Sequence, residues 1–242
     1  MPHGTPDWGL VGPKKTTYGL DDLGEHAVRL GSPSVWDRRG DVIWQTDFGQ
    51  GLQGIATLVD AAPSEVRLWA GRSRQGAFSV QLAASGAGNA FARIQKFLPM
   101  PVYSRVGVEC SFDVVDDMGT LAIQLWWIHT GRLWLAGLRY DHAADRLAYV
   151  DAAHLPVVIG GPFNLSSEAY SQHCIKLVAD LAGRQYVRAI LNEHGWSLSG
   201  IGAHDDMAML ASSLNVVIVH YGDGANATAI NVDCMIVTQN EP

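Results

Sequence analysis

From Asp41 onward, apolar residues come in short runs of Val, Ile, Leu, Phe and Trp, broken by clusters of Gly, Asn and Asp. Runs of that length between turn-forming residues predict strands. The clearest is VGVECSFDV, in which Val106, Val108, Cys110, Phe112 and Val114 alternate with Gly107, Glu109, Ser111 and Asp113. A period of two puts the first set on a buried face and the second toward water. Comparable runs at 41–48, 66–69, 78–83, 91–97, 121–129, 133–140, 146–150, 173–180, 186–192, 215–221 and 229–238 bring the expectation to eleven or twelve strands. That number fills two facing sheets. YDHAADRLAYV and ADLAGRQYVRAILN each set a short polar or Gly-containing link between two runs, as an antiparallel hairpin requires. Within this region a helix is predicted only for AHDDMAMLASSL, residues 203–214.

Residues 1–40 read differently. Pro2, Pro6, Pro13 and Pro33 interrupt them, and only LDDLGEHAVRL has helical spacing, through Leu20, Leu23, Ala27 and Leu30. The expected organisation is an extended N-terminal arm with one short helix over 1–40, followed by an all-β antiparallel sandwich over 41–242.

Composition narrows the function classes. With 242 residues and 48% hydrophobic content, the chain can bury one sizeable core. A net charge of −7 with only 17 Lys and Arg removes the attraction that phosphate-backbone binding needs, so no nucleic-acid partner is expected. The opening MPHGTPDWGLVGPKKTTYGL lacks a basic start followed by an apolar core, and no apolar run reaches the ~20 residues of a membrane helix. Synthesis without export and no membrane partner are therefore expected, and Asn164-Leu165-Ser166 and Asn226-Ala227-Thr228 are read as chance sequons. Cys110, Cys174 and Cys234 all lie in apolar runs; an odd, unclustered set argues against a disulfide framework and against zinc.

The motifs at the ends of the strand-rich region resemble those of carbohydrate-binding modules and concanavalin A-like jelly rolls. An opening strand runs into Asp47-Phe48-Gly49, RSRQGAFSVQL follows, and INVDCMIV closes the chain. The binding modules read Asp-Phe-Glu at the first motif, a glycine before an alternating strand at the second, and Ile-Asp-Asp-Val at the last. Asp47, Phe48, Gly76, Phe78 and Asp233 match; Gly49 replaces the glutamate, and Asn231-Val232-Asp233-Cys234 keeps one acid. The resemblance implies a jelly-roll β-sandwich. It also makes Asp47 and Asp233 candidate calcium ligands, weakened by the missing glutamate because calcium takes six to eight oxygens. Otherwise the two aspartates serve strand-end backbone groups, and no other cofactor is expected. The layout as a whole, with its Pro-Asp-Trp-Gly start and WDRRGDVIW entry into the sandwich, is similar to virion-associated capsid decoration and tail proteins of tailed bacteriophages.

Catalytic patterns are sparse. No strand carries the Glu-x-Asp-x-x-Glu spacing of jelly-roll glycosidases; Asp113, Asp116 and Asp117 are close in sequence, but VVDDMGT reads as a turn between two strands. GWSLSGI misses a nucleophile elbow by one place. His204 beside Asp205 and Asp206 fits a helix N-terminus. Aromatic residues remain. Trp126 and Trp127 are adjacent on one predicted strand and must face opposite ways, and Trp134 on the next can pair with one of them. All three are candidates for carbohydrate or protein contact, with burial as the alternative.

The reading is a non-enzymatic structural virion protein, a capsid decoration or tail component. Its partners are copies of itself, as in a trimer, and virion proteins such as the major capsid protein, joined through the arm. The alternative is a lectin-like module or host-surface adhesin that binds glycans, and the third reading is a glycoside hydrolase.

Overall fold

The computed structural model describes residues 39–60, 62–74, 77–87, 90–100, 102–114, 119–168, 171–208 and 213–242. Sixteen strands lie within them. Sheet I holds β1 (Asp41–Thr46), β3 (Glu65–Trp69), β4 (Ser79–Ala84), β6 (Arg105–Asp113), β11 (Gln172–Asp180), β12 (Gln185–Leu191), β13 (His194–Ser197) and β16 (Thr228–Gln239). Sheet II holds β2 (Ala56–Val59), β5 (Phe91–Pro99), β7 (Thr120–His129), β8 (Arg132–Asp141), β9 (Arg146–Val150), β10 (Pro156–Gly160), β14 (His204–Ala208) and β15 (Ser213–Tyr221).

Sheet I runs β13-β12-β11-β6-β16-β4-β3, with β1 on the free half of β16; sheet II runs β10-β9-β8-β7-β15-β5-β2, with β14 on β8. Consecutive strands pair in the β7 to β10 and β11 to β13 meanders, whereas β6 sits between β11 and β16, and β15 between β5 and β7. These crossovers between two antiparallel sheets make the jelly roll.

The apolar set of β6 sets its layer, while Gly107, Glu109, Ser111 and Asp113, expected toward water, are buried on the other face. Val106, Val108, Cys110 and Phe112 are fully buried between the sheets and meet Ile175, Leu177, Val232 and Val237 of sheet I and Ile94, Ile123, Leu138 and Ile218 of sheet II in one core. Burial of each such side chain stabilises by about 1.5–3 kcal/mol. Both hairpins expected from the sequence are present, β8 with β9 and β11 with β12. The β7–β8 hairpin turns through Thr130 and Gly131, both at positive φ (52° and 73°), the two-residue turn whose twist matches its strands.

Polar ties cross the core. The Tyr186 hydroxyl of β12 donates to the Val150 carbonyl (2.6 Å) and accepts from the Gly137 amide (2.8 Å) of sheet II. Gly137 needs that partner because β8 bonds β14 only up to Leu135 and β9 only from Leu138. Trp127 of β7 donates its indole N–H to the Leu181 carbonyl (3.1 Å) beyond β11.

Two features depart from the sequence reading. The helix expected over 203–214 is not formed: His204–Ala208 is strand β14 and Ser213 begins β15, with 209–212 outside the described residues. The Arg132–Leu135 edge of β8 offers unpaired backbone there, and Asp205 pairs with the Arg132 guanidinium at 2.6 Å, so tertiary pairing overrides a weak helical pattern. The strands also outnumber the eleven or twelve expected, through β2, β10, β13 and β14, all on sheet margins. The predicted arm helix, Gly76, Asp116 and Asp117 lie outside the described residues.

Candidate functional site

The outward face of sheet II combines side chains that a purely structural surface rarely assembles. Register places them in rows across β5, β15, β7 and β8. Phe97, Asn215, Trp126 and Leu135 form one row, and Gln95, Val217, Gln124 and Gly137 the next. Arg93, Val219, Ala122 and Arg139 form the third, and Phe91, Tyr221, Thr120 and Asp141 the fourth. Short side chains occupy the middle. Ala122, Val217 and Val219 make a small apolar cluster of their own, against which Phe91, Trp126 and Tyr221 pack. Aromatic rings and long polar chains thus surround a low apolar floor.

The polar groups around that floor are incompletely satisfied. Asn215 is only 9% exposed, yet its Oδ1 is buried without a hydrogen-bond partner among the described residues, as are Arg93 Nε and Arg139 Nε. A buried polar atom left unpaired costs about 1–3 kcal/mol, so three on one face call for an explanation. Asn215 lies directly between Phe97, which is 54% exposed, and the half-buried Trp126. The indole is positioned by its own sheet, because Trp126 Nε1 donates to Gln124 Oε1 at 2.9 Å. The Arg93 guanidinium lies 5.8 Å from the Phe91 ring centre and 5.6 Å from that of Trp126. That of Arg139 lies 5.7 Å from the Tyr221 ring. Phe91 and Tyr221 meet edge to face at 6.3 Å, closing an arc of cation–π and aromatic contacts.

The outward face of sheet I is different in kind. Lys176 is buried beside Glu109 (3.7 Å) and Glu241 (2.9 Å), and Glu241 also takes Arg188. Asp113, fully buried, pairs with Arg72 at 3.3 Å. Burial still raises the Asp113 carboxyl above its ordinary value, although the neighbouring guanidinium pulls it down. The charges here are matched and closed over, as structural ion networks are. A cavity of about 350 Å³ at the margin of this face is lined by Arg39, Arg188, Ile190, Trp196 and neighbouring backbone.

The tryptophans separate as strand alternation requires. Trp127 is fully buried in the main core and drops out as a contact residue; Trp134, its cross-strand partner, packs at the rim of that core with Arg184 over its ring at 5.0 Å. Trp126 alone of the three belongs to the outer face. Asp47 follows the end of β1 beside the middle of β16, where Asp233 sits at the bulge, since Thr46 pairs with Met235. Asp47 Oδ1 accepts from the Gly49 amide at 2.9 Å, while the buried Asp233 accepts from the amides of Arg74 and Cys234, each at 2.7 Å. Among the described residues no group of three or more acidic, His or Cys side chains gathers around them. Two carboxylates turned to backbone amides do not fit a calcium ion's need for six to eight oxygens.

His204 sits on β14, its Nδ1 bonded to the Ala152 carbonyl at 2.8 Å and its ring 4.6 Å from that of His154, rather than at a helix start. The cysteines are free and buried, and burial pushes their thiols up. Sequence reasoning passed over Arg93, Gln95, Phe97, Arg139, Asn215 and Tyr221. Their signal was present in FARIQKF, where Phe91, Arg93, Gln95 and Phe97 alternate with Ala92, Ile94 and Lys96.

No protein-family model and no curated protein sequence matches the chain. Solved structures do. A protein of unknown function from Shewanella oneidensis MR-1 aligns with TM-score 0.57 and 15% identity, over 96% of this chain and 95% of that one. The carbohydrate esterase of the Shiga toxin-encoding bacteriophage phi24B aligns with TM-score 0.54 and 14% identity, over 84% of this chain and 100% of its own. Lectin I-B4 from Griffonia simplicifolia, in its metal-free form, aligns with TM-score 0.51 and 9% identity, over 81% of this chain and 99% of the lectin. In fold, the chain is an antiparallel jelly-roll sandwich like that of the lectin.

Proposed function

We propose that this protein is a non-enzymatic carbohydrate-binding module whose binding face is the outer surface of sheet II. The observation that carries the reading is Asn215, buried with an unpaired acceptor between the exposed Phe97 ring and the Trp126 indole. A sugar presents an apolar ring face that stacks on an indole and hydroxyls that donate to amide oxygens. It therefore satisfies both halves of the patch at once. Gln95 and Gln124 in the next row extend the same chemistry. Binding without turnover is favoured by the composition of the patch: glycosidic hydrolysis uses a pair of carboxylates, and among the described residues of the four rows the only carboxylate is Asp141, at the margin.

The test is affinity of the full chain for immobilised oligosaccharides, compared with Trp126→Ala and Asn215→Ala. Each variant is expected to lose about tenfold or more in affinity, as truncation at a binding hot spot does, with an unchanged far-ultraviolet circular dichroism spectrum. Binding that survives both substitutions would place the site elsewhere.

A second reading places this module in a virion, as a capsid decoration or tail component assembled from several copies. It is favoured by the three free, buried thiols, which suit assembly in a reducing cytoplasm. Light scattering on the purified chain checks it. A strictly monomeric chain that also fails to join particles would remove it.

A further inference from the structure

Building on the carbohydrate-binding reading, we infer that the ligand is an acidic glycan, held by Arg93 and Arg139. Neither guanidinium has a carboxylate within ion-pair distance among the described residues, although the chain carries a net charge of −7. On sheet I the pattern is the reverse, with Arg72, Arg188 and Lys176 each facing an acid. The two unmatched cations share one row of sheet II, on β5 and β8 with β15 and β7 between them. Their backbones therefore stand about 14 Å apart, three strand spacings.

Both side chains lean over the apolar floor and in opposite senses along the strands. Arg93 reaches toward Trp126 on β7, and Arg139 toward Tyr221 on β15. Stacking on rings fixes the planar guanidinium while leaving its outer N–H groups open, the arrangement in which arginine takes a carboxylate or sulfate through two parallel hydrogen bonds. The Nε of each chain is itself buried, so the donors that meet a ligand are the outer Nη groups. A neutral sugar's hydroxyls can accept from these donors but leave both positive charges unbalanced. An oligosaccharide with carboxylates or sulfate esters meets them while its ring faces lie on Trp126 and its hydroxyls reach Asn215.

The experiment is an array of four oligosaccharide classes, neutral, uronate-containing, sialate-terminated and sulfated, probed with the full chain and with Arg93→Gln, Arg139→Gln and Trp126→Ala. The expected result is signal confined to one or more acidic classes, lost about tenfold in each arginine variant and weakened by raising salt from 50 to about 200 mM. Which acidic class responds separates carboxylate from sulfate. Signal from neutral glycans equal to that from acidic ones, abolished by Trp126→Ala but not by the arginine variants, overturns the acidic assignment and keeps the carbohydrate-binding reading. Silence in all four classes from a chain that melts cooperatively overturns both. The melting transition of each variant, expected within a few degrees of the parent, separates lost binding from lost fold.

Discussion

At the scale of single residues, buried polar groups in this protein divide into those the fold completes and those it leaves open. Tyr186 belongs to the first kind. Its hydroxyl crosses from sheet I to bond Val150 and Gly137 at the point where the β8 ladder changes partner from β14 to β9. Tyr186→Phe keeps the ring in the core but strands a buried amide and a buried carbonyl, and is expected to cost about 1–3 kcal/mol; urea denaturation measures it, and a neutral outcome would mean that water replaces the hydroxyl. Lys176 is likewise completed, enclosed by Glu109 and Glu241 with Arg188 beyond, so that two cations face two anions. Asn215, Arg93 and Arg139 are of the second kind. What separates the two faces is ion pairing: Arg72, Lys176 and Arg188 on sheet I each face a carboxylate, whereas Arg93 and Arg139 on sheet II face none among the described residues, and this points to sheet II as the side that meets a ligand.

At the scale of elements, the bulge in β16 shows why a family motif can be legible while its role is not. Asp233 pairs with Ser111, Met235 with Cys110, and Cys234 is the extra residue between them, held at φ 49°. The Asp233 carboxylate accepts the Cys234 amide and the Arg74 amide, which fixes the bulge and the segment before β4 together. Asp233→Ala should therefore destabilise by about 1–3 kcal/mol whether or not calcium is present, and a titration that shows calcium raising the melting temperature of the parent but not of the variant would revive the metal reading. Strands such as β6, β7 and β11 were readable because each is a long run of mostly apolar residues, buried at nearly every position. Margin strands were not: β2 is exposed throughout and β14 carries His204-Asp205-Asp206, so burial imposes no period on either. The binding face escaped notice for a related reason. In NVVIVHY both faces of β15 are apolar apart from Asn215 and His220, and nothing in the string says which side Asn215 takes until β5 and β7 fix the register.

For the whole molecule, closure of the two sheets depends on keeping their contact layer uncharged, and His220 makes that dependence measurable. It is fully buried on β15, and its Nε2 meets Thr228 Oγ1 of β16 at 2.8 Å, so the ring ties sheet II to sheet I. Burial lowers its pKa from an ordinary 6.5 to about 4, against the weaker raising effect of its hydrogen bonds. A group depressed on folding contributes stability that is whole above its unfolded pKa and is lost as pH falls toward the folded one. The window here is about pH 6.5 to 4, and the full difference corresponds to about 3 kcal/mol. His173, lowered chiefly by burial, adds in the same direction. Asp113, raised by burial, opposes it because the folded state binds that proton more tightly. The urea midpoint is therefore expected to fall between pH 7 and pH 4.5, and His220→Gln, which retains a donor for Thr228 without a titrating ring, is expected to flatten much of that slope. An unchanged slope in the variant would show that the acid sensitivity of the sandwich arises elsewhere, with His173 the next group to substitute.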